Sequence, residues 1–134
     1  MKLFFLVLVL IVIVANGYVS NSDEQKAKIK EITRRCIEQT GVDPNVLLQT
    51  KRGVFTEDPK LKSFLFCSFT NSGIQDSKGA IQEDVVKSIY RAEPRAIQAF
   101  QPCFGKTGED GLIIAYETFK CFRTNLPEDL KLML

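Results

Sequence analysis

Four cysteines, Cys36, Cys67, Cys103 and Cys121, are the residues of this 134-residue chain best suited to covalent chemistry, and no histidine accompanies them. Without an imidazole, no Ser-His-Asp or Cys-His relay can be assembled, because the base that would activate the nucleophile is missing. The cysteine spacings contain no Cys-x-x-Cys, so neither a zinc site nor a thioredoxin-like redox pair is expected. Paired acids occur at Asp23-Glu24, Glu83-Asp84, Glu109-Asp110 and Glu128-Asp129. Each stands at or near an expected helix start, where negative charge complements the helix dipole, and that reading outweighs a glycosidase-type carboxylate pair. Gly-x-Ser-x-Gly, P-loop and Gly-x-Gly-x-x-Gly patterns are absent. In the Gln75–Gly79 turn, Ser77 and Lys78 interrupt the alternating acids of a calcium loop. The chain is therefore read as a non-enzyme with no metal and no cofactor. Its cysteines read as two disulfides, for which an even count leaves three connectivities open.

Disulfides require an oxidising compartment, and the amino terminus points to one. Lys2 is followed by an unbroken apolar run from Leu3 to Ala15, then by Asn16 and Gly17. A short basic region, an apolar stretch and small residues are the marks of a secretory signal, cleaved here before Tyr18. The apolar run reaches only about 20 Å as a helix, short of the ~30 Å hydrocarbon core that an anchor must cross. Residues 1–17 are accordingly read as a signal peptide and residues 18–134 as one secreted, extracellular domain. Loss of Lys2 with the leader takes one charge from 18 basic residues set against 16 acidic ones. The remaining charges are interleaved, so nucleic acid is not an expected partner.

The elements that must position these residues are all helical; no stretch shows convincing strand alternation. Ser22 is an expected N-cap for a first helix carrying Ile29, Ile32 and Cys36 and ending near Gly41. Asp43-Pro44 opens a second, to about Lys51, and Asp58-Pro59 a third, to about Ser72 before Gly73. The third has Leu61, Phe64, Leu65 and Ser68 on one side, with Phe66 and Phe69 partly around the other, which marks an interior helix. A fourth is expected over about Ile81 to Ala92, with Val85, Val86, Ile89 and Tyr90 inward. Pro94 separates it from a fifth carrying Ile97, Phe100, Cys103 and Phe104, which Pro102 should kink or end. A sixth runs from Glu109 or Gly111 to Arg123. After Pro127 comes an amphiphilic tail, Leu130 to Leu134, either frayed or docked. The fold class is all-α, a compact bundle of six or seven short helices.

Ten phenylalanines and no tryptophan in so short a helical chain are an unusual apolar load, even though Phe4 and Phe5 leave with the leader. On composition alone a filled core is the simpler account. An apolar ligand pocket lined by several helices is the functional alternative.

With Arg35-Cys36-Ile37-Glu38-Gln39-Thr40-Gly41-Val42 in the first helix and Gly53-Val-Phe-x-x-Asp58 before the third, the chain resembles the insect odorant-binding proteins of the pheromone/general-odorant-binding type. The similarity spans residues 18–134. That family normally has six cysteines, the second and third separated by three residues and the fifth and sixth by eight. Here Cys67 matches the third, and Ser63 stands where the second belongs. Cys121 matches the sixth, and Leu112, followed by Ala115 and Tyr116, stands where the fifth belongs. Both absent cysteines form one family disulfide, the arrangement of the four-cysteine group often called minus-C.

The resemblance implies bonds Cys36–Cys67 and Cys103–Cys121, and the short connection between helices five and six separately favours the second. It implies a bundle enclosing an apolar cavity, and an extracellular carrier that reversibly binds small hydrophobic ligands such as odorants, pheromones or other semiochemicals. By matching positions the wall falls to Ile29, Leu65, Phe69, Ile89, Phe100, Phe119 and Phe122, with Phe55, Val85, Ala115 and Leu132 as second choices. Thr70 and Tyr116 are the polar candidates for a ligand hydrogen bond, set against a bond to backbone or water. A membrane receptor is the implied further partner, and the expected state is a monomer or weak dimer. With no histidine, acid-triggered release would have to use carboxylates such as those of the tail. The alternative is a secreted helical signalling or defence protein acting through protein or membrane contacts. It would show one exposed amphipathic face or a strongly basic helix, and neither is visible.

Overall fold

Aspartate followed by proline starts two of the helices. The Asp43 carboxylate accepts the Asn45 N–H at 2.8 Å, and that of Asp58 accepts the Lys60 N–H at 2.9 Å. Each proline occupies the first turn, where its missing N–H leaves no bond unmade. In the computed structural model, which describes residues 17–108 and 110–131, these helices are α2 (Pro44–Lys51) and α3 (Pro59–Ser72). They follow α1 (Gly17–Thr40) and precede α4 (Glu83–Ile89) and α5 (Pro94–Phe100), which runs into a 3₁₀ turn, Gln101–Cys103. Then come α6 (Gly111–Asn125) and the one-turn α7 (Glu128–Lys131). Among the described residues the fold is all-α, with seven α-helices and, in place of strands, a single isolated bridge between Gln75 and Ile81. No helix among them is long and apolar enough to cross a membrane. The signal-peptide reading lies outside the described residues apart from Gly17, and so does Leu132.

Three helices have boundaries that differ from the sequence expectation. Ser22 lies inside α1 instead of capping it: the backbone is already helical from Gly17, so carbonyls of the preceding turn serve the N–H groups that a cap would satisfy. The fourth helix is shorter at both ends than Ile81 to Ala92. Ile81 is held extended by its bridge to Gln75, and the Gln82 N–H bonds the Ile74 carbonyl at 2.6 Å. At the other end Glu93, preceding Pro94, takes a non-helical φ/ψ of −137° and 81°, because the proline ring disfavours a helical residue before it. The sixth helix runs past Arg123 to Asn125, and its start is fixed by Asp110, whose carboxylate accepts the Ile113 N–H at 3.0 Å. At the end of α3, Gly73 sits at φ +83°, the left-handed turn that closes a helix and that a Cβ would strain.

The described residues divide into two units, 17–31 and 32–131. In the second, α3 packs along α6, and α5 with its 3₁₀ turn packs on the same helix. Buried there are Leu61, Phe64, Leu65 and Phe69 of α3, Val86 of α4, Ala96, Ala99 and Phe100 of α5, and Ala115, Tyr116 and Phe122 of α6. Cys36 is bonded to Cys67, tying α1 to α3, and Cys103 to Cys121, tying the 3₁₀ turn to α6. By restricting the unfolded chain each bridge contributes ~3 kcal/mol. The tail docks as far as it is described: Leu130 is buried, and Arg95 at the start of α5 reaches the Asp129 carboxylate at 3.1 Å.

Candidate functional site

Helix α6 presents Tyr116, Phe119 and Phe122 at intervals of three, and the spacing brings their rings to neighbouring elements of the second unit. Phe55, in the α2–α3 loop, meets Tyr116 edge-on at 6.2 Å and Phe119 at 6.0 Å. Phe69 of α3 meets Phe119 at 6.4 Å, and Phe119 meets Phe122 at 6.4 Å. Phe122 continues the run to Phe100 of α5, at 4.6 Å, and to Tyr90 at the end of α4, at 5.5 Å. Each such pair adds about 0.5–1.5 kcal/mol beyond its buried area. Five elements thus contribute rings to one continuous run of aromatic contacts.

The residues named from the sequence fall at different depths. Leu65, Phe69, Phe100, Ala115, Tyr116 and Phe122 are buried. Phe55, Val85, Ile89 and Phe119 are half-buried against that core. Ile29 belongs to the first unit and is 47% exposed. Both polar candidates bond to backbone: the Thr70 hydroxyl donates to the Phe66 carbonyl at 2.8 Å, and the Tyr116 hydroxyl donates to the Thr56 carbonyl at 3.0 Å. Burial pushes the Tyr116 hydroxyl up to about 12, with the Glu57 carboxylate adding to the effect. Lys62 holds that carboxylate at 2.9 Å and lies 5.1 Å above the Tyr116 ring.

Other polar groups in this region escaped sequence reasoning. The Tyr90 hydroxyl makes no hydrogen bond among the described residues, and burial alone pushes it up to about 12. Its signal was position: it adjoins Ile89 on the expected inner face of the fourth helix. The hydroxyls of Thr118, Ser68 and Thr56 are enclosed without a partner among the described residues, and Thr118 is wholly buried. Arg123, nearly buried, spends Nε and Nη2 on the Lys51 carbonyl. Among the described residues no cluster of acidic or cysteine side chains is placed to hold a metal ion.

Comparison with known proteins agrees with this architecture. General odorant-binding protein 69a of Drosophila melanogaster is 30% identical over 98 residues, covering 71% of this chain and 66% of that protein, just under two thirds of its length. The B1 protein of Tenebrio molitor is 30% identical over 112 residues, covering 79% of this chain and 84% of its own. The crystal structure of a medfly odorant-binding protein has the same fold, with a TM-score of 0.66 at 24% identity, covering 78% of this chain and 93% of the other. A fatty acid-binding protein from the oral disk of the blowfly Phormia regina gives a TM-score of 0.57 at 27% identity, covering 76% and 91%. The model of the PBP/GOBP family matches residues 19–125, from the first helix to the last residue of α6. By that match, which takes in every element contributing to the aromatic run, the chain belongs to the PBP/GOBP family.

Proposed function

We propose that the protein is an extracellular carrier that reversibly binds small hydrophobic molecules, odorants, pheromones or other semiochemicals, in an apolar site enclosed by its helices. The observation that carries this reading is the unbroken run of rings from Tyr116 through Phe119 and Phe122 to Tyr90, reached by four further elements. Around that run Phe55, Ile89, Val85 and Phe119 retain accessible surface that ligand carbon can cover. Burial of such surface at ~25 cal/mol per Å² drives binding. Family membership and relatives named for odorant or fatty acid binding support the same reading. In this proposal residues 1–17 are removed on secretion, the two disulfides suit the extracellular fluid, and the protein belongs to the four-cysteine group. It works as a monomer or weak dimer and can hand its ligand to a membrane receptor.

Fluorescence of N-phenylnaphthylamine, an apolar probe that brightens out of water, tests the reading. Uptake by the folded protein, reversed by competing apolar ligands, is the expected result. A folded protein that leaves the probe dark has no such site.

A further inference from the structure

An apolar site needs some polar group to orient its ligand, and the structure narrows the choice. Thr70 and Tyr116 give their hydroxyl protons to the carbonyls of Phe66 and Thr56. The hydroxyls of Thr118, Ser68 and Thr56 are enclosed, with no surface left for a ligand to touch. Tyr90 is different: its ring packs on Phe122 at 5.5 Å, its side chain is only half-buried, and its hydroxyl has no partner among the described residues. A hydroxyl surrounded by protein, yet still accessible and unpaired, stands where an incoming oxygen can accept its proton. Its ring stands beside Phe122, which meets the half-buried Phe119 at 6.4 Å, so a ligand that covers the accessible side of Phe119 can bring its polar terminus towards Tyr90.

Resting on the carrier reading above, we infer that the Tyr90 hydroxyl is the polar anchor of the site and sets its specificity. The ligand class it selects is a neutral, mostly apolar molecule with one accepting oxygen: an alcohol, aldehyde, ketone or ester. A carboxylate fits less well. A buried carboxylate needs a cation beside it to compensate its charge. The buried guanidinium, that of Arg123, is already turned to the Lys51 carbonyl.

The test compares dodecanol, dodecanal, dodecanoate and dodecane as competitors of bound N-phenylnaphthylamine, in wild type and in Tyr90→Phe. The phenylalanine keeps the ring against Phe122 and removes only the donor. Wild type should prefer the alcohol and aldehyde to the carboxylate, and Tyr90→Phe should weaken both by about threefold to tenfold, the worth of one hydrogen bond. Dodecane should bind the two proteins equally, which also shows that the variant is folded. Equal affinities of the two proteins for the alcohol, or tightest binding of dodecanoate by wild type, would overturn the inference and leave the carrier reading standing. Absence of probe uptake by folded wild type would overturn both.

Discussion

The guanidinium of Arg123, on α6, donates from Nε and Nη2 to the carbonyl of Lys51, at 2.9 and 2.7 Å. Lys51 is the last residue of α2, so a buried cation sits at the negative end of that helix and ties it to α6. Loss of two charge-assisted bonds, together with the packing of the side-chain stem, should cost Arg123→Ala about 2–3 kcal/mol. Arg123→Lys keeps the charge but not the forked geometry and should recover only part of that. Urea unfolding midpoints measure both, and an unchanged midpoint for the alanine variant would show that the contact is dispensable.

Thr118 makes the opposite case. It is wholly buried on α6 and its hydroxyl has no partner among the described residues, so the fold carries the desolvation cost of a polar group without the bond that offsets it. Valine has nearly the same shape and no hydroxyl. Thr118→Val should therefore stabilise the protein, by about 1 kcal/mol, seen as a higher Tm. A lower Tm would mean that the hydroxyl is bonded after all.

Asp43-Pro44 and Asp58-Pro59 could be read from the sequence because cap and proline act within one turn, and nothing distant has to be known. Ile81 could not: its extended state depends on Gln75 and the Ile74 carbonyl, a pairing that the helix-forming residues after it conceal. The candidate site divides the same way. Tyr116, Phe119 and Phe122 recur at helical spacing and could be placed on one apolar face from periodicity. Which polar group stays unpaired depends on backbone far along the chain, since Tyr116 is consumed by Thr56, sixty positions away. Among the described residues Tyr90 meets no such carbonyl and keeps its donor, a difference that no local pattern encodes.

Ser63 on α3 and Leu112 on α6 stand where the resemblance expects two cysteines, and the packing of these helices gives that expectation a register. Lys62 lies over the Tyr116 ring, while Phe66 abuts Gly111, its ring standing where a Cβ would be. Advancing along α3 thus means retreating along α6, and Ser63 and Leu112 both fall between the two contacts. Replacing both with cysteine should give a third disulfide and raise the Tm; the loop it closes is long enough for a gain of ~3–4 kcal/mol if the geometry is unstrained. Thiol titration of the folded double variant decides the matter, because two free thiols would refute the register.

Stability should be level across neutral pH and fall on both sides, for separate reasons. A hydrogen bond from Lys62 holds the Glu57 carboxyl below its usual range, and one from Arg95 does the same for Glu93. Carboxyls depressed in the fold contribute above their unfolded pKa, ~4.3, and lose that contribution as the pH drops through their folded values. Tyr90 and Tyr116, pushed up to about 12 mainly by burial, behave in reverse. Their contribution is complete below the unfolded pKa of ~10 and is lost as the pH rises from there towards 12. No histidine titrates between these limits. Thermal melts should accordingly give a flat Tm from about pH 5.5 to 9, and Tyr90→Phe should flatten the alkaline slope while leaving the acid one unchanged. A step in Tm near pH 6.5, where only a histidine-like group would titrate, would contradict this account.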